Sequence, residues 1–207
     1  MGQDLDRSDY LKSQLDADRL NRDPIEQLKQ WLKDAHDESV IEPEAMCLST
    51  VGPSGQPSSR FVLLREIDHR GLTFFTNYLS RKGDELAHNP QACLAFWWGQ
   101  LERQVRVEGT IEKVAPSESD AYFASRPLGS QIASTVSPQS KVIPSREVLE
   151  TQVAAMEGQP LTRPSHWGGY RLVPDYFEFW QGRGARLHDR FRYRLTGTDW
   201  LIERLAP

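Results

Sequence analysis

The chain is poor in several features that would each point to a particular class of function. It has two cysteines in 207 residues. Cys47 and Cys93 lie far apart and outside any CxxC spacing, so reduced thiols are expected rather than a disulfide framework. Five histidines, His36, His69, His88, His166 and His188, never fall at metal-ligand spacing, and no structural metal is expected. Positive charge is not in excess: 25 Lys and Arg against 29 Asp and Glu give a formal net charge of −4. That removes the broad electrostatic drive behind nucleic-acid or anionic-membrane binding, so any anion site must be local. No apolar run approaches the roughly 20 residues of a membrane span. The opening Met1-Gly2-Gln3-Asp4-Leu5-Asp6 is too polar and acidic for a signal peptide, so a cytoplasmic protein is expected.

Motif signatures are missing as well. Gly182-Arg183-Gly184-Ala185-Arg186-Leu187 starts like a dinucleotide fingerprint, but it lacks the third glycine and precedes a strand pattern rather than a helix. There is no Walker A loop and no Gly-x-Ser-x-Gly elbow, and neither cysteine sits in a nucleophile signature, which leaves hydrolase readings weak.

What is present is the composition of a folding protein. The chain is 38% hydrophobic and 26% charged, with six tryptophans and eight phenylalanines, which argues against disorder. Residues 1–22 are polar and read as a mobile N-terminal arm; residues 23–207 read as a single domain. Asp23-Pro24 followed by Glu26 marks a helix start, with Ile25, Leu28, Leu32 and Ala35 as its apolar stripe. From residue 45 the period shortens to that of strands. Met46 to Val51, Arg60 to Glu66 and Leu72 to Asn77 are predicted to form a three-stranded antiparallel meander. A short helix follows from Ser80 to His88, then strands from Ala92 to Trp98 and Arg103 to Val114. Helices are predicted from Pro116 to Ser125 and from Pro144 to Met156, the latter with Val148, Leu149, Val153 and Met156 apolar and a loop between the two. The last strands run from Gly169 to Val173, Tyr176 to Gln181, Leu187 to Leu195 and Trp200 to Leu205. Many short antiparallel strands with a few helices predict a mainly β, α+β fold, a closed or partly closed barrel with peripheral helices.

The candidate chemistry is a set of cations and hydroxyls beside turns. If Leu187 to Tyr193 is a strand, Arg186, His188 and Arg190 share one face, where two guanidiniums flanking an imidazole suit a flat anionic ligand; a solvated edge strand fits the same pattern. In Arg60-Phe61-Val62-Leu63-Leu64-Arg65, strict alternation puts the two arginines on opposite faces, where they serve two anions or merely end a buried strand. Ser80-Arg81-Lys82 opens a helix, a place that favours phosphate. Tyr122 and Arg126 share a helix face and Ser130 follows the Pro127 break, which makes a plausible phosphate clamp. Gln104 alternates with Arg106 and Glu108, and Gln139-Ser140 supplies neutral donors from a loop.

With these residues assembled, the chain resembles the pyridoxamine 5′-phosphate oxidase family. The likeness rests on RFVLLR (60–65), FFTN (74–77) with SRK (80–82), LERQVRVEG (101–109), YFASRPLGSQI (122–132), SPQS (137–140), FWQG (179–182) and RLHDRF (186–191), and extends from about Tyr10 to Pro207. The resemblance implies a split β-barrel homodimer with FMN in clefts at the subunit interface. It implies FMN contacts at Arg60, Phe61, Val62, Leu63, Leu64, Arg65, Phe75, Thr76, Arg81, Lys82, Gln104, Gln139, Ser140, Trp180 and Arg190. Substrate contacts are implied at Arg65, Tyr122, Arg126, Ser130, Arg186 and His188, the last two acting at the reacting centre. Arg7 and Tyr10 resemble an arm that folds over the site. The implied activity is oxidation of pyridoxamine or pyridoxine 5′-phosphate to pyridoxal 5′-phosphate with dioxygen, releasing hydrogen peroxide. A related flavin oxidase acting on a phenazine precursor, or a non-catalytic carrier of FMN or pyridoxal phosphate, is the alternative. One position departs from the family: Arg65 stands where lysine is usual, keeping the charge but replacing a compact ammonium with a wide fork.

Overall fold

Asp23 and Pro24 start the first helix as their chemistry requires. In a computed structural model of the protein, which describes residue 10 and residues 12–207, the Asp23 carboxylate accepts from the Ile25 amide and Pro24 takes the first turn of α1 (Pro24–Asp37). The predicted stripe of Ile25, Leu28, Leu32 and Ala35 is buried, and Trp31 joins it, edge-on to Phe179 at 5.1 Å.

Nine strands follow among the described residues: β1 (Ala45–Val51), β2 (Pro57–Leu63), β3 (Glu66–Asp68), β4 (Gly71–Asn77), β5 (Gln91–Trp98), β6 (Arg103–Lys113), β7 (Trp167–Gln181), β8 (Asp189–Thr196) and β9 (Asp199–Leu205). Four further helices are α2 (Arg81–His88), α3 (Pro116–Ser125), α4 (Leu128–Val136) and α5 (Arg146–Met156). All nine strands belong to one antiparallel sheet in the order β2-β1-β5-β6-β7-β4-β3, with β8 also pairing β7 and β9 pairing β8. The sheet forks at β7. Trp167–Leu172 pairs with β4, whereas Tyr176–Gln181 pairs with β8. The fork falls at a bulge between Glu108 and Gly109 opposite Pro174, a residue with no amide hydrogen to give. Gly109 is required there, because a Cβ would stand 2.1 Å from the Val173 carbonyl oxygen. The inner face carries Leu48, Phe96, Val105, Phe177, Phe179, Phe191 and Tyr193, all buried.

Several sequence expectations need correction. The meander does not form: β2 ends at Leu63, and β4 leaves it to pair with β3 and β7. The two expected strands at 169–173 and 176–181 are one strand, since the bulge absorbs Pro174. The loop after Ser125 contains α4. None of the apolar side chains of α5 is buried. Leu187 and His188 lie outside β8, and Arg186 belongs to a turn in which it and Ala185 have φ of 61° and 54°. Arg186, His188 and Arg190 therefore do not share a strand face. Of the expected arm, Leu15 is buried, and its amide donates to Asp189 Oδ2 at 3.2 Å; Arg7 lies outside the described residues.

Candidate active site

The strand break after Leu63 decides the site's geometry. With regular alternation interrupted, Arg60 and Arg65 line the same cleft instead of opposite faces, which corrects the sequence expectation. That cleft, about 410 Å³, is walled by Phe61, Val62 and Leu63 of β2, Phe75 and Thr76 of β4, Lys82 of α2, Tyr122 and Arg126 at the end of α3, and Gln139. It continues into a second hollow of about 350 Å³ that shares Phe75, Thr76, Arg126 and Gln139 and adds Ser130, Ser134 and Trp167.

Lys82 is held at the cleft floor because Ser80 caps α2 and its second residue points inward. Its ammonium donates to Gln139 Oε1 at 2.6 Å, Thr76 Oγ1 at 3.1 Å and Ser80 Oγ at 3.2 Å. These acceptors are neutral. Burial, with the like charge of Arg60, lowers the Lys82 pKa to about 8, while Glu85 opposes the fall. A buried cation held only by neutral acceptors is costly unless an anion joins it. Arg60 reaches toward Glu85, also buried. Burial opposes ionisation of Glu85, but hydrogen bonds from Ser58, Thr50, Arg81 and Arg60 outweigh it and hold the pKa at about 2.

The second hollow has its own cation. Arg126 lies over the Trp167 ring at 4.6 Å and donates to Ser134 Oγ at 2.9 Å. Burial lowers its pKa, Tyr122 opposes the fall and Arg65 adds to it. Among the described residues, neither Arg65 nor Arg126 has a carboxylate within ion-pair distance. Tyr122 stacks on Phe75 with ring centres 3.9 Å apart, and Trp167 lies parallel to Tyr122 at 6.2 Å.

Other expected residues lie elsewhere. Gln104, Trp180 and Arg190 form one row across β6, β7 and β8 on the outer sheet face, with Trp97 at its end. His188 packs on Trp180 at 4.7 Å, and its Nδ1 accepts from the Arg183 amide at 3.1 Å. Tyr10 packs edge-on against both rings. Arg186 is exposed in its turn, Ser140 is exposed with φ of 69°, Arg81 points to Glu85, and Leu64 is in the core. None of these lines the cleft. Sequence reasoning missed Glu85, Glu178, Ser134, Trp167 and Trp97. Glu85 could have been noticed from its four-residue spacing to Arg81; the others carry no local signal.

The forked sheet, with cations gathered where its strands break, is that of a split β-barrel, an architecture shared with an FMN-binding protein from Nostoc punctiforme PCC 73102 (18% identity, TM-score 0.76, covering 91% of this chain and 100% of that one). Residues 32–160 match the profile described as pyridoxamine 5′-phosphate oxidase. Residues 167–207 match that of the pyridoxine 5′-phosphate oxidase C-terminal dimerisation region. The chain belongs to the pyridoxamine 5′-phosphate oxidase family, and FMN comes with that membership as cofactor. It is 51% identical over 205 residues to the pyridoxine/pyridoxamine 5′-phosphate oxidase of Cyanothece sp. strain PCC 7425 (97% of this chain, 96% of the relative). Identity is 54% over 207 residues to that of Burkholderia mallei strain SAVP1 (97% of each). Among solved structures it is similar to PhzG from Burkholderia lata 383 in complex with tetrahydrophenazine-1-carboxylic acid (36% identity, TM-score 0.88, 92% of this chain and 95% of that one). No helix among the described residues is long and apolar enough to cross a membrane.

Proposed function

We propose that the protein is an FMN-dependent oxidase that converts pyridoxamine 5′-phosphate and pyridoxine 5′-phosphate to pyridoxal 5′-phosphate, with dioxygen as acceptor and hydrogen peroxide as product. The observation that carries this reading is the pair of anion-seeking centres in one continuous hollow: Lys82 with Arg60, and Arg126 with Arg65. One centre suits the phosphate of FMN, and the second suits a substrate with a phosphate of its own. A substrate with no anionic group would leave Arg126 and Arg65 without a counter-anion.

The donor set fits FMN. Arg60, Thr76, Lys82 and Gln139 hold its phosphate, and the chain from Phe61 to Leu63 lines the adjoining wall. When bound, FMN supplies the two-electron oxidation. Arg65, Tyr122, Arg126 and Ser130 bind the substrate phosphate, and the aromatic wall of Phe75 and Tyr122 excludes water beside them. Gln104, Trp180, Arg190, Arg186 and His188 complete the site from a second copy in a homodimer. In that arrangement Arg186 and His188 orient the substrate ring. The match of residues 167–207 to a dimerisation region supports this assembly, as do Phe61 and Trp97, 73% and 54% exposed.

A second reading, oxidation of a phenazine precursor, is favoured by the likeness to PhzG. Anaerobic mixing of the yellow holoenzyme with each substrate separates the two. Bleaching by pyridoxine 5′-phosphate, with peroxide formed on readmitting air, is expected. Bleaching by a dihydrophenazine acid alone would support the second reading, and an unbleached flavin would indicate a carrier.

A further inference from the structure

The residue that organises the flavin-phosphate end of the cleft is a carboxylate that touches no ligand in the reading above. Glu85 is 6% exposed on the inner side of α2. Its Oε2 accepts from Thr50 Oγ1 of β1 at 2.5 Å, from Ser58 Oγ of β2 at 2.6 Å and from an Arg60 terminal nitrogen at 3.1 Å. Its Oε1 accepts from Arg81 Nε at 2.8 Å. One carboxylate thus ties two strands and a helix to two guanidiniums, and Lys82 is its neighbour along the helix. Arg60 is further held by Thr50 Oγ1, Ser58 Oγ and, at 3.3 Å, the Leu48 carbonyl. Among the described residues its Nε–H takes no part in this network.

Anchoring gives this arrangement a purpose. Glu85 offsets one of the two positive charges that Arg60 and Lys82 bring to the cleft, and it takes up Arg81, which does not line it. Without the carboxylate these cations would repel one another, and the Arg60 guanidinium would lose the anchor that fixes its direction.

We infer that Glu85 is a positioning residue for FMN recognition: it fixes the direction of the Arg60 guanidinium at the phosphate end of the cleft. The inference rests on the cleft being the FMN site. It distinguishes binding of the flavin ring from binding of its phosphate, so the test compares FMN with riboflavin, which lacks the phosphate. Dissociation constants for both are measured by flavin fluorescence on the reconstituted full chain, wild type and Glu85→Gln. In Glu85→Gln the FMN constant is expected to rise about ten-fold or more, the effect of misplacing one charge-assisted contact. The riboflavin constant should stay within about two-fold, since it depends on packing rather than on charge. Glu85→Asp, which keeps the charge on a shorter stem, should fall between wild type and Glu85→Gln, and it carries the test if Glu85→Gln does not fold.

A purely structural role would weaken both flavins together and overturn the inference. So would an unchanged ratio, or tighter FMN binding in Glu85→Gln, which would mark the carboxylate as a competitor for the cations. If the wild type itself bound the two flavins alike, the reading of the cleft would fail first and this role with it.

Discussion

Arg190 lays its Nε and a terminal nitrogen on the same oxygen of Glu178, at 2.9 and 2.8 Å. Glu178 is 3% exposed, and its other oxygen accepts from Arg106 and from the Tyr176 hydroxyl, each at 3.3 Å. Glu178 thus does for the outer sheet face what Glu85 does for the cleft: a buried carboxylate aims an arginine whose stem is partly solvated. Glu178→Gln leaves Arg190 without an anion, whereas Arg106 keeps Glu108. Because both arginines reach solvent, the expected loss is about 1–3 kcal/mol, below the penalty for a wholly buried pair. Urea denaturation checks this, with a lower midpoint at an unchanged slope as the expected result.

Lys82 makes flavin binding sensitive to alkali. Its pKa of about 8 means that its charge is lost as pH rises from 7 to 9, and with it one of the contacts to the flavin phosphate. The groups facing it are Arg60 of β2, Glu85 of α2, Thr76 of β4 and Gln139 of the loop after α4. FMN affinity is therefore expected to fall through pH 8, and Lys82→Met should bind weakly with that step removed. Stability moves the other way. Between pH 8 and the ordinary lysine value of 10.5 the unfolded chain holds a proton that the folded one has released. The Lys82 contribution to stability thus rises with pH across that window. Fluorescence titration and thermal melts of the apoprotein at matched pH separate the two effects.

What could be read from the residue order was whatever depended on near neighbours. Asp23-Pro24 and Ser80 announced α1 and α2 because a cap acts within a turn, and the β5–β6 hairpin followed from its alternating pattern across Gly99. Long-range pairing was hidden. Pro174 reads as a strand break, yet a bulge opposite Gly109 accommodates it in one 15-residue strand. α4, Leu128–Val136, has no charged residue to mark a polar face, so its sequence reads as loop. Strict alternation puts Arg60 and Arg65 on opposite faces only when it is carried past Leu63, where the strand ends. The residue types of the cleft were legible from the motifs. Their division between a cleft and a separate sheet face was not, since it depends on strand order.

Arg126 should govern affinity for phosphorylated substrate more than turnover. Its guanidinium is held over Trp167 and against Ser134, so it meets an incoming phosphate already oriented. An interaction made equally in the ground and transition states changes KM and leaves kcat in place. Arg126→Ala is expected to raise KM for pyridoxine 5′-phosphate about ten-fold to a hundred-fold, the worth of one charge-assisted contact, with kcat within about three-fold. Arg65→Lys, restoring the residue usual in the family, should shift KM by less, because the charge remains and only the fork is lost. Steady-state peroxide assays on both variants check this.

The outer sheet face predicts how the molecule assembles. Trp97 is 54% exposed on β5 and lies 6.0 Å from the Trp180 ring, in the row that also holds Gln104 and Arg190. Aromatic side chains at the centre of an interface contribute much of its binding energy, and a charge placed there is desolvated without a partner. Trp97→Glu should therefore convert a dimer to a monomer in light-scattering chromatography at micromolar concentration. Because the proposed site draws on residues of both copies, FMN affinity should fall with it, whereas the separate core under β1, β5 and β6 should keep the monomer folded by circular dichroism. A variant that stayed dimeric with full FMN affinity would place the interface on another face of the sheet.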